Sequence, residues 1–174
     1  MTGREPPAAG PLRTLLPVVA AFALLLGLMW LAFGALLERR DNPNRDIATG
    51  PGAPTRVVLE AGPGGHYVVP GTINGRSVAF LVDTGASHVA VPAGLADDLD
   101  LERGPEIRVV TAAGTTTAYH TRIERIAVGG IVMRDVRGSI NPSMGGDRVL
   151  LGMTFLRELE FRQQEGRLIL RQRP

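Results

Sequence analysis

Residues 80–87 read Phe-Leu-Val-Asp-Thr-Gly-Ala-Ser, and this stretch decides how the rest of the chain is interpreted. An apolar strand runs directly into an acid, Asp83, which is followed by Thr84, Gly85 and two small residues. A carboxylate after a buried strand costs free energy unless it is used or hydrogen-bonded. Gly85 permits a tight turn, and the hydroxyls of Thr84 and Ser87 can donate hydrogen bonds. The pattern predicts a carboxylate presented at a loop tip or, in the simpler alternative, a turn that ends a strand.

The surrounding sequence consists of short apolar runs between turns, which predicts an all-β domain. Asn74-Gly75 is the strongest two-residue hairpin signal, and Ala112-Ala113-Gly114, Gly129-Gly130 and Glu165-Gly166 mark further hairpins. Short helices are predicted at 92–101 and at 154–158, the second capped by Thr154. The predicted strands cover residues 57–59, 66–73, 76–82, 107–111, 115–123, 126–128, 131–133, 136–140, 149–151, 160–163 and 167–171. Strands this short and closely spaced are typical of a small closed barrel or sandwich.

Composition agrees with this class and excludes several kinds of site. The chain has 22 Gly and 13 Pro in 174 residues, a mix that suits a turn-rich β protein. There is no Cys, so disulfides and thiolate chemistry are impossible, and the three His are too scattered for a local metal motif. All 19 basic residues are Arg and are dispersed among acids, so a nucleic-acid surface is not predicted. The sequence predicts no cofactor either.

The N-terminal part has a different character from the rest. Residues 1–13 are predicted to form a disordered tail, and residues 14–37 hold no charge. As a helix these 24 residues extend about 36 Å, enough to cross a bilayer core of about 30 Å. A buried helix and a cleaved signal peptide are the alternatives, and the run ends in Leu-Leu-Glu-Arg-Arg without a small-x-small site. Residues 38–55 are predicted to form an extended Pro/Gly-rich linker before a domain at 56–174.

A second element, Leu150-Leu151-Gly152, places two apolar residues and a glycine well after the Asp-Thr-Gly segment. The order of apolar strand, Asp-Thr-Gly-Ala-Ser, hairpin and apolar-apolar-Gly resembles the retropepsin-like aspartic proteases. The likeness is to their bacterial branch with one N-terminal membrane span, and it covers about residues 66–171. It implies a closed barrel of short strands with one or two short helices, acting as a homodimer on a polypeptide.

The resemblance also implies residue roles. Asp83 is the implied catalytic residue, supported in its loop by Thr84, Gly85 and Ser87. The hairpin tip at Ala112, Ala113 and Gly114 is the implied flap over the substrate. Tyr119 lies beyond that tip, and packing is the simpler role for it than substrate contact.

Peptide hydrolysis by this chemistry needs two carboxyls that share one proton, and the chain has a single Asp-Thr-Gly. Residues 56–174 are too few for two such lobes, so a two-fold dimer would supply the second Asp83. Asp147 is the best intrachain alternative, although its neighbour Arg148 makes a solvated or ion-paired group the simpler reading.

The sequence therefore predicts a membrane-anchored aspartic endopeptidase. A catalytically silent peptide-binding or scaffolding module of the same fold is the alternative, and a structural β domain with an incidental Asp-Thr-Gly turn is a third. Arginines flank the span almost evenly, so charge leaves the orientation open. The resemblance favours a bacterial inner membrane with the domain in the periplasm. An extended linker would also allow self-release from the membrane.

Overall fold

The computed structural model of the chain describes residues 11–111 and 114–173. The chain divides into two compact units, and the boundary between them lies at Arg39 and Arg40.

The first unit is dominated by one long helix, α1, Pro11–Asp41. Its segment Pro17–Leu37 has 21 residues with a mean hydropathy of 2.3, and its most apolar window has no buried residue. At the helical rise this segment is about 32 Å long. By length and composition it is a helix that could cross a membrane, as predicted.

The second unit is an all-β domain with one short helix. Its strands and helix are β1 (Arg56–Glu60), β2 (Tyr67–Ile73), β3 (Arg76–Val82), β4 (Val89–Pro92), β5 (Glu106–Thr111), β6 (Gly114–Val128), β7 (Ile131–Asn141), β8 (Arg148–Leu151), α2 (Met153–Leu156), β9 (Leu159–Gln164) and β10 (Arg167–Gln172). Three strands form one sheet in the order β1-β10-β9, and seven form another in the order β2-β3-β8-β4-β7-β6-β5. A further pairing joins β2 to β6 through Thr72 and Ala127. Six strands thus form a ring of pairings, and the predicted fold class is confirmed.

Two of the predicted hairpins have the backbone that their sequences require. Asn74 and Gly75 have φ values of 50° and 83°, and the flanking residues Ile73 and Arg76 pair directly. Glu165 and Gly166, at 52° and 73°, connect β9 to β10 in the same way. Left-handed residues at both turn positions match the twist of the strands, which fixes the register.

Several predicted elements differ in the structure. The helix predicted at 92–101 is only a 3-10 turn, Ala93–Leu95, followed by turns that end at Asp100 with a left-handed φ of 53°. The strands predicted at 115–123 and 126–128 are one continuous strand, β6, and those predicted at 131–133 and 136–140 are likewise one strand, β7. Thr154 does not cap the helical turn, because α2 begins at Met153 after Gly152. In each case tertiary packing overrode a weak local preference.

Residues 42–55, here called the strap, are folded against the β-domain and do not form the extended, poorly ordered linker that composition predicts. The side chain of Asn44 is 4% exposed. Its Nδ2 donates to the carbonyls of Glu60 and Val68 at 2.9 and 2.8 Å, and its Oδ1 accepts from the amide of Glu60 at 2.7 Å. Further along, Gly50 N–H donates to the Gly129 carbonyl at 3.0 Å. The strap therefore belongs to the folded domain.

Candidate active site

Asp83 lies where β3 ends, beside the second motif. In the parallel pair β3–β8, Leu81 is opposite Leu150 and Val82 is opposite Leu151. The amide of Asp83 then donates to the Leu151 carbonyl at 3.2 Å. Both predicted motifs are therefore parts of one site: Leu150 and Leu151 align the strand that delivers the carboxylate.

The loop after Asp83, residues 83–88, is called the active-site loop. The amide of Gly85 donates to Asp83 Oδ1 at 2.8 Å, and the amide of Ala86 donates to the Asp83 carbonyl at 3.3 Å. These bonds close a tight turn and hold one carboxylate oxygen of a half-buried side chain. Within the described residues Asp83 Oδ2 has no hydrogen-bond partner. The turn therefore fixes the carboxyl group and leaves one oxygen for chemistry.

The two hydroxyl residues of the loop are exposed. The sequence suggested that Thr84 and Ser87 could fix the loop, but the bond that holds the Asp83 carboxylate comes from the backbone of Gly85. Their hydroxyls lie on the surface beside Asp83, where they are accessible to a neighbouring chain or a ligand.

Gly152 has a structural role that only the tertiary arrangement reveals. A Cβ atom at this position would lie 2.1 Å from the carbonyl oxygen of His88 and 2.6 Å from that of Ala86. Because real contacts of a Cβ are much longer, only glycine lets the active-site loop pack on β8 and α2. The loop is secured there by Met153 N–H, which donates to the Ala86 carbonyl at 2.8 Å.

Thr154 is a supporting residue whose contact the sequence reasoning missed. Its Oγ1 accepts a hydrogen bond from the amide of Val89 at 3.0 Å, directly after the active-site loop. The signal in the sequence is a hydroxyl two residues after Gly152, which by itself predicts only a helix cap.

The predicted flap is the hairpin of β5 and β6. Thr111 pairs with Gly114, and its hydroxyl donates to the Gly114 carbonyl at 2.8 Å. The other two predicted tip residues, Ala112 and Ala113, lie outside the described residues. Val110, next to the tip, is 86% exposed, so an apolar side chain is available to a ligand. No hydrogen bond links Gly114 to Asp83 within the described residues.

Asp147 lies far from the Asp83 carboxylate, and Tyr119 is packed against the core. Asp147 immediately precedes Arg148, which is opposite Ala79, so it is displaced from Asp83 by about 16 Å along β3. This spacing does not support an intrachain carboxylate pair. Tyr119 is partly buried against the core, and the Arg103 guanidinium lies 5.7 Å from its ring centroid.

Two of the three histidines meet in the structure although they are far apart in sequence. The ring of His88, in the active-site loop, lies edge-on to the ring of His120 on β6, with centroids 6.0 Å apart. Burial lowers the pKa of His88, and the positive charges of His120, Arg137 and Arg157 lower it further. The described residues contain no group of three or more His, Asp or Glu that could hold a metal ion.

The fold is that of the retropepsin-like aspartic proteases. The crystal structure of a retropepsin-like aspartic protease from Rickettsia conorii has the same fold, with a TM-score of 0.55 and 22% identity over 71% of this chain and 91% of that one. Residues 69–158 match the family described as "gag-polyprotein putative aspartyl protease". The chain therefore belongs to this aspartyl protease family.

A curated relative extends the comparison in sequence. An uncharacterized protein in the cobV 5' region of Sinorhizobium sp. is 33% identical over 110 residues, which are 62% of this chain and 47% of that protein. The chain matches about half the length of this relative.

Proposed function

We propose that the protein is a membrane-anchored aspartic endopeptidase in which Asp83 and the Asp83 of a second copy activate the attacking water. The observation that carries this proposal is the Asp83 carboxyl group, held at Oδ1 by the Gly85 amide and without a partner at Oδ2 in the described residues. A general acid or base needs this combination of fixed geometry and an accessible oxygen. Membership of the aspartyl protease family supports the same chemistry.

The reaction follows from the electrostatics of two close carboxyls. Like charges about 3 Å apart cannot both ionise, so the pair holds one proton and titrates as a unit. The ionised carboxyl takes a proton from water, and the protonated one donates to the carbonyl oxygen of the scissile peptide bond. The tetrahedral intermediate then breaks its C–N bond as a proton reaches the leaving nitrogen.

The second carboxyl is assigned to a second copy because the chain contains a single Asp-Thr-Gly. In an isologous interface a residue that lies next to the two-fold axis meets its own copy, so an interface with Asp83 near its axis would bring the two carboxyls together. The exposed Thr84 and Ser87 put polar groups beside Asp83 on the surface that would face the partner. The substrate would lie extended between this dyad and the β5–β6 hairpins, bound partly through its backbone.

The long apolar helix supports a membrane anchor. The segment Pro17–Leu37 is long and apolar enough to cross a bilayer. Confinement to a membrane would raise the effective concentration of the two copies and favour pairing. We assign the protein to a bacterial inner membrane with the catalytic domain in the periplasm, an assignment that rests on the resemblance to bacterial membrane-anchored proteases.

The test is the substitution Asp83→Asn in the purified full-length chain in detergent micelles. It keeps the size of the side chain but removes the general base, so hydrolysis of an unfolded protein such as casein should fall at least about a hundredfold. Asp147→Asn is the matched control and should retain activity. Unchanged hydrolysis by Asp83→Asn would remove the assigned role.

A catalytically silent binding module is the second candidate, because one chain carries half of a dyad. Analytical ultracentrifugation of residues 40–174, together with binding of a statine-type transition-state mimic, separates the two candidates. A dimer that binds the mimic supports the peptidase. A chain that stays monomeric at high concentration and ignores the mimic supports the silent module.

A further inference from the structure

A groove with a volume of about 900 Å³ lies beside β6 and β7, close to the active-site loop. Its wall includes His120 of β6, Arg134 and Arg137 of β7, and Arg103 from the segment before β5. The His120 ring contacts the ring of His88, five residues after Asp83. The five residues from Asp83 to His88 span at most about 17 Å, and the His120 ring lies 6.0 Å beyond the His88 ring. An extended peptide bound at Asp83 therefore reaches the groove within about seven residues.

Charge is unevenly distributed along this groove. Two of its carboxylates are already paired, Asp135 with Arg122 and Asp100 with Arg76. Within the described residues neither Arg134 nor Arg137 has a carboxylate partner.

Two further carboxylates, Glu102 and Glu124, complete the charged groups of the groove wall. Glu124 lies about 13 Å along β6 from His120. Arg137 is closer to that histidine, because it pairs with Arg122 in the β6–β7 register, two residues from His120. Glu102 and Arg103 lie together on the segment that pairs with His120 through Gly104. Positive charge therefore predominates at the His120 end.

The environment of His88 reports the same excess of positive charge. Every charged group that shifts its pKa is cationic: His120 of β6, Arg137 of β7 and Arg157, which follows α2. Among the residues that the structure describes, no carboxylate offsets their effect on the pKa of His88. A protonated His88 is thus disfavoured until an anion arrives.

We propose that this groove, called the basic groove, binds an acidic side chain of the polypeptide substrate on one side of the scissile bond. The proposal rests on the proposed function, since it assigns the substrate class of the same site. Arg137 provides the guanidinium next to His120, and Arg134 provides a second one about 10 Å further along β7. His120 and His88 link the groove to the active-site loop. A bound carboxylate supplies the missing negative neighbour and raises the pKa of His88. Binding is therefore tighter near pH 6 than near pH 8.

Binding of labelled peptides tests the basic groove without requiring turnover. The full-length chain carrying Asp83→Asn is titrated, in detergent micelles, into a fluorescein-labelled Gly/Ser peptide that contains two Glu or two Gln, with anisotropy as the readout. The Glu peptide should bind about tenfold more tightly than the Gln peptide, and the double substitution Arg134→Gln and Arg137→Gln should abolish this preference. The preference should also shrink at high salt, because exposed ion pairs are screened.

The control is the double substitution Arg162→Gln and Arg167→Gln, which removes the same two charges from exposed positions of β9 and β10 and should leave the preference unchanged. Equal binding of the two peptides, or an equal loss in this double control, overturns the basic groove. Histidine NMR signals give a second readout, since the Glu peptide should raise the pKa of His88 and the Gln peptide should not. Failure of the proposed function would appear separately, as absence of hydrolysis by the chain that retains Asp83.

Discussion

The active-site loop and the strap are both irregular segments fixed to the same β-domain, but they are fixed in opposite ways. The active-site loop is anchored through backbone groups on its inner side, and its polar side chains Asp83, Thr84 and Ser87 reach outward. The strap buries its key polar side chain, Asn44, whose amide satisfies backbone groups of β1 and β2. The Asp83 carboxylate keeps one oxygen accessible, whereas the neutral Asn44 amide is buried and hydrogen-bonded. The physical reason is that burying an unpaired charge costs far more free energy than burying a satisfied amide.

The largest expected effect comes from removing the close approach that seats the active-site loop. Gly152→Ala would bring a Cβ within 2.1 Å of the His88 carbonyl, so the loop or β8 must move. We expect the free energy of unfolding to fall by about 3 kcal/mol and hydrolysis to be lost. Urea denaturation and a peptide-hydrolysis assay measure these effects.

Gly145→Ala is the matched control, because a Cβ there meets no atom within 4 Å. It should change stability by less than about 0.5 kcal/mol. Equal stability of the two variants would show that the loop does not depend on this contact.

The next largest loss of stability is expected in the strap, at the buried side chain of Asn44. Asn44→Ala removes three hydrogen bonds and leaves the buried Val68 carbonyl without its side-chain donor. We expect a loss of about 2–3 kcal/mol in the free energy of unfolding, measured by urea denaturation. Asp46→Ala, whose side chain is 90% exposed, is the control and should be nearly neutral.

Docking of the strap also bears on self-release. A protease site binds an extended segment whose backbone groups are accessible, whereas Gly50 and Pro54 already pair with Gly129 and Gly130. Fragments cut within 42–55 should be absent from the wild-type chain on long incubation and should form in Asn44→Ala. Mass spectrometry would detect such fragments, and their rapid formation in the wild type would contradict a docked strap.

The active-site loop should respond to pH through His88. Because burial and cationic neighbours lower its pKa in the folded state, the unfolded chain takes up the proton first as pH falls. The free energy of unfolding should therefore decrease below about pH 6.5, and His88→Gln should remove that part of the decrease. Thermal unfolding between about pH 5 and pH 8 measures it. His66→Gln, at an exposed position, should leave the profile as it is in the wild type.

The smallest expected change in stability comes from removing the hydroxyl of Thr121. Unlike Asn44, the buried Thr121 hydroxyl has no hydrogen-bond partner within the described residues. Thr121→Val keeps the shape and removes this cost, so stability should rise by up to about 1 kcal/mol. Thr115→Val, at an exposed site, is the control. A destabilised Thr121→Val would mean that the hydroxyl is satisfied in solution.

Local signals account for what the sequence predicted well. The Asn74-Gly75 and Glu165-Gly166 turns, the long apolar helix and the Asp83 loop depend on residues adjacent in the chain. The helix predicted at 92–101 was wrong, because Leu99 and Leu101 turn into the core and the chain leaves the helical path at Asp100. The linker prediction was wrong because Gly and Pro content reports weak local structure and does not reveal a distant partner.

The sequence by itself determined the all-β class, the apolar helix and the segment that carries Asp83, since each follows from periodicity, composition or a contiguous motif. Only the tertiary structure decided that Gly152 admits the active-site loop, that Asn44 ties the strap to β1 and β2, and that His88 meets His120. These three contacts join residues between 16 and 66 positions apart, and no local preference encodes which distant backbone or ring will be the neighbour.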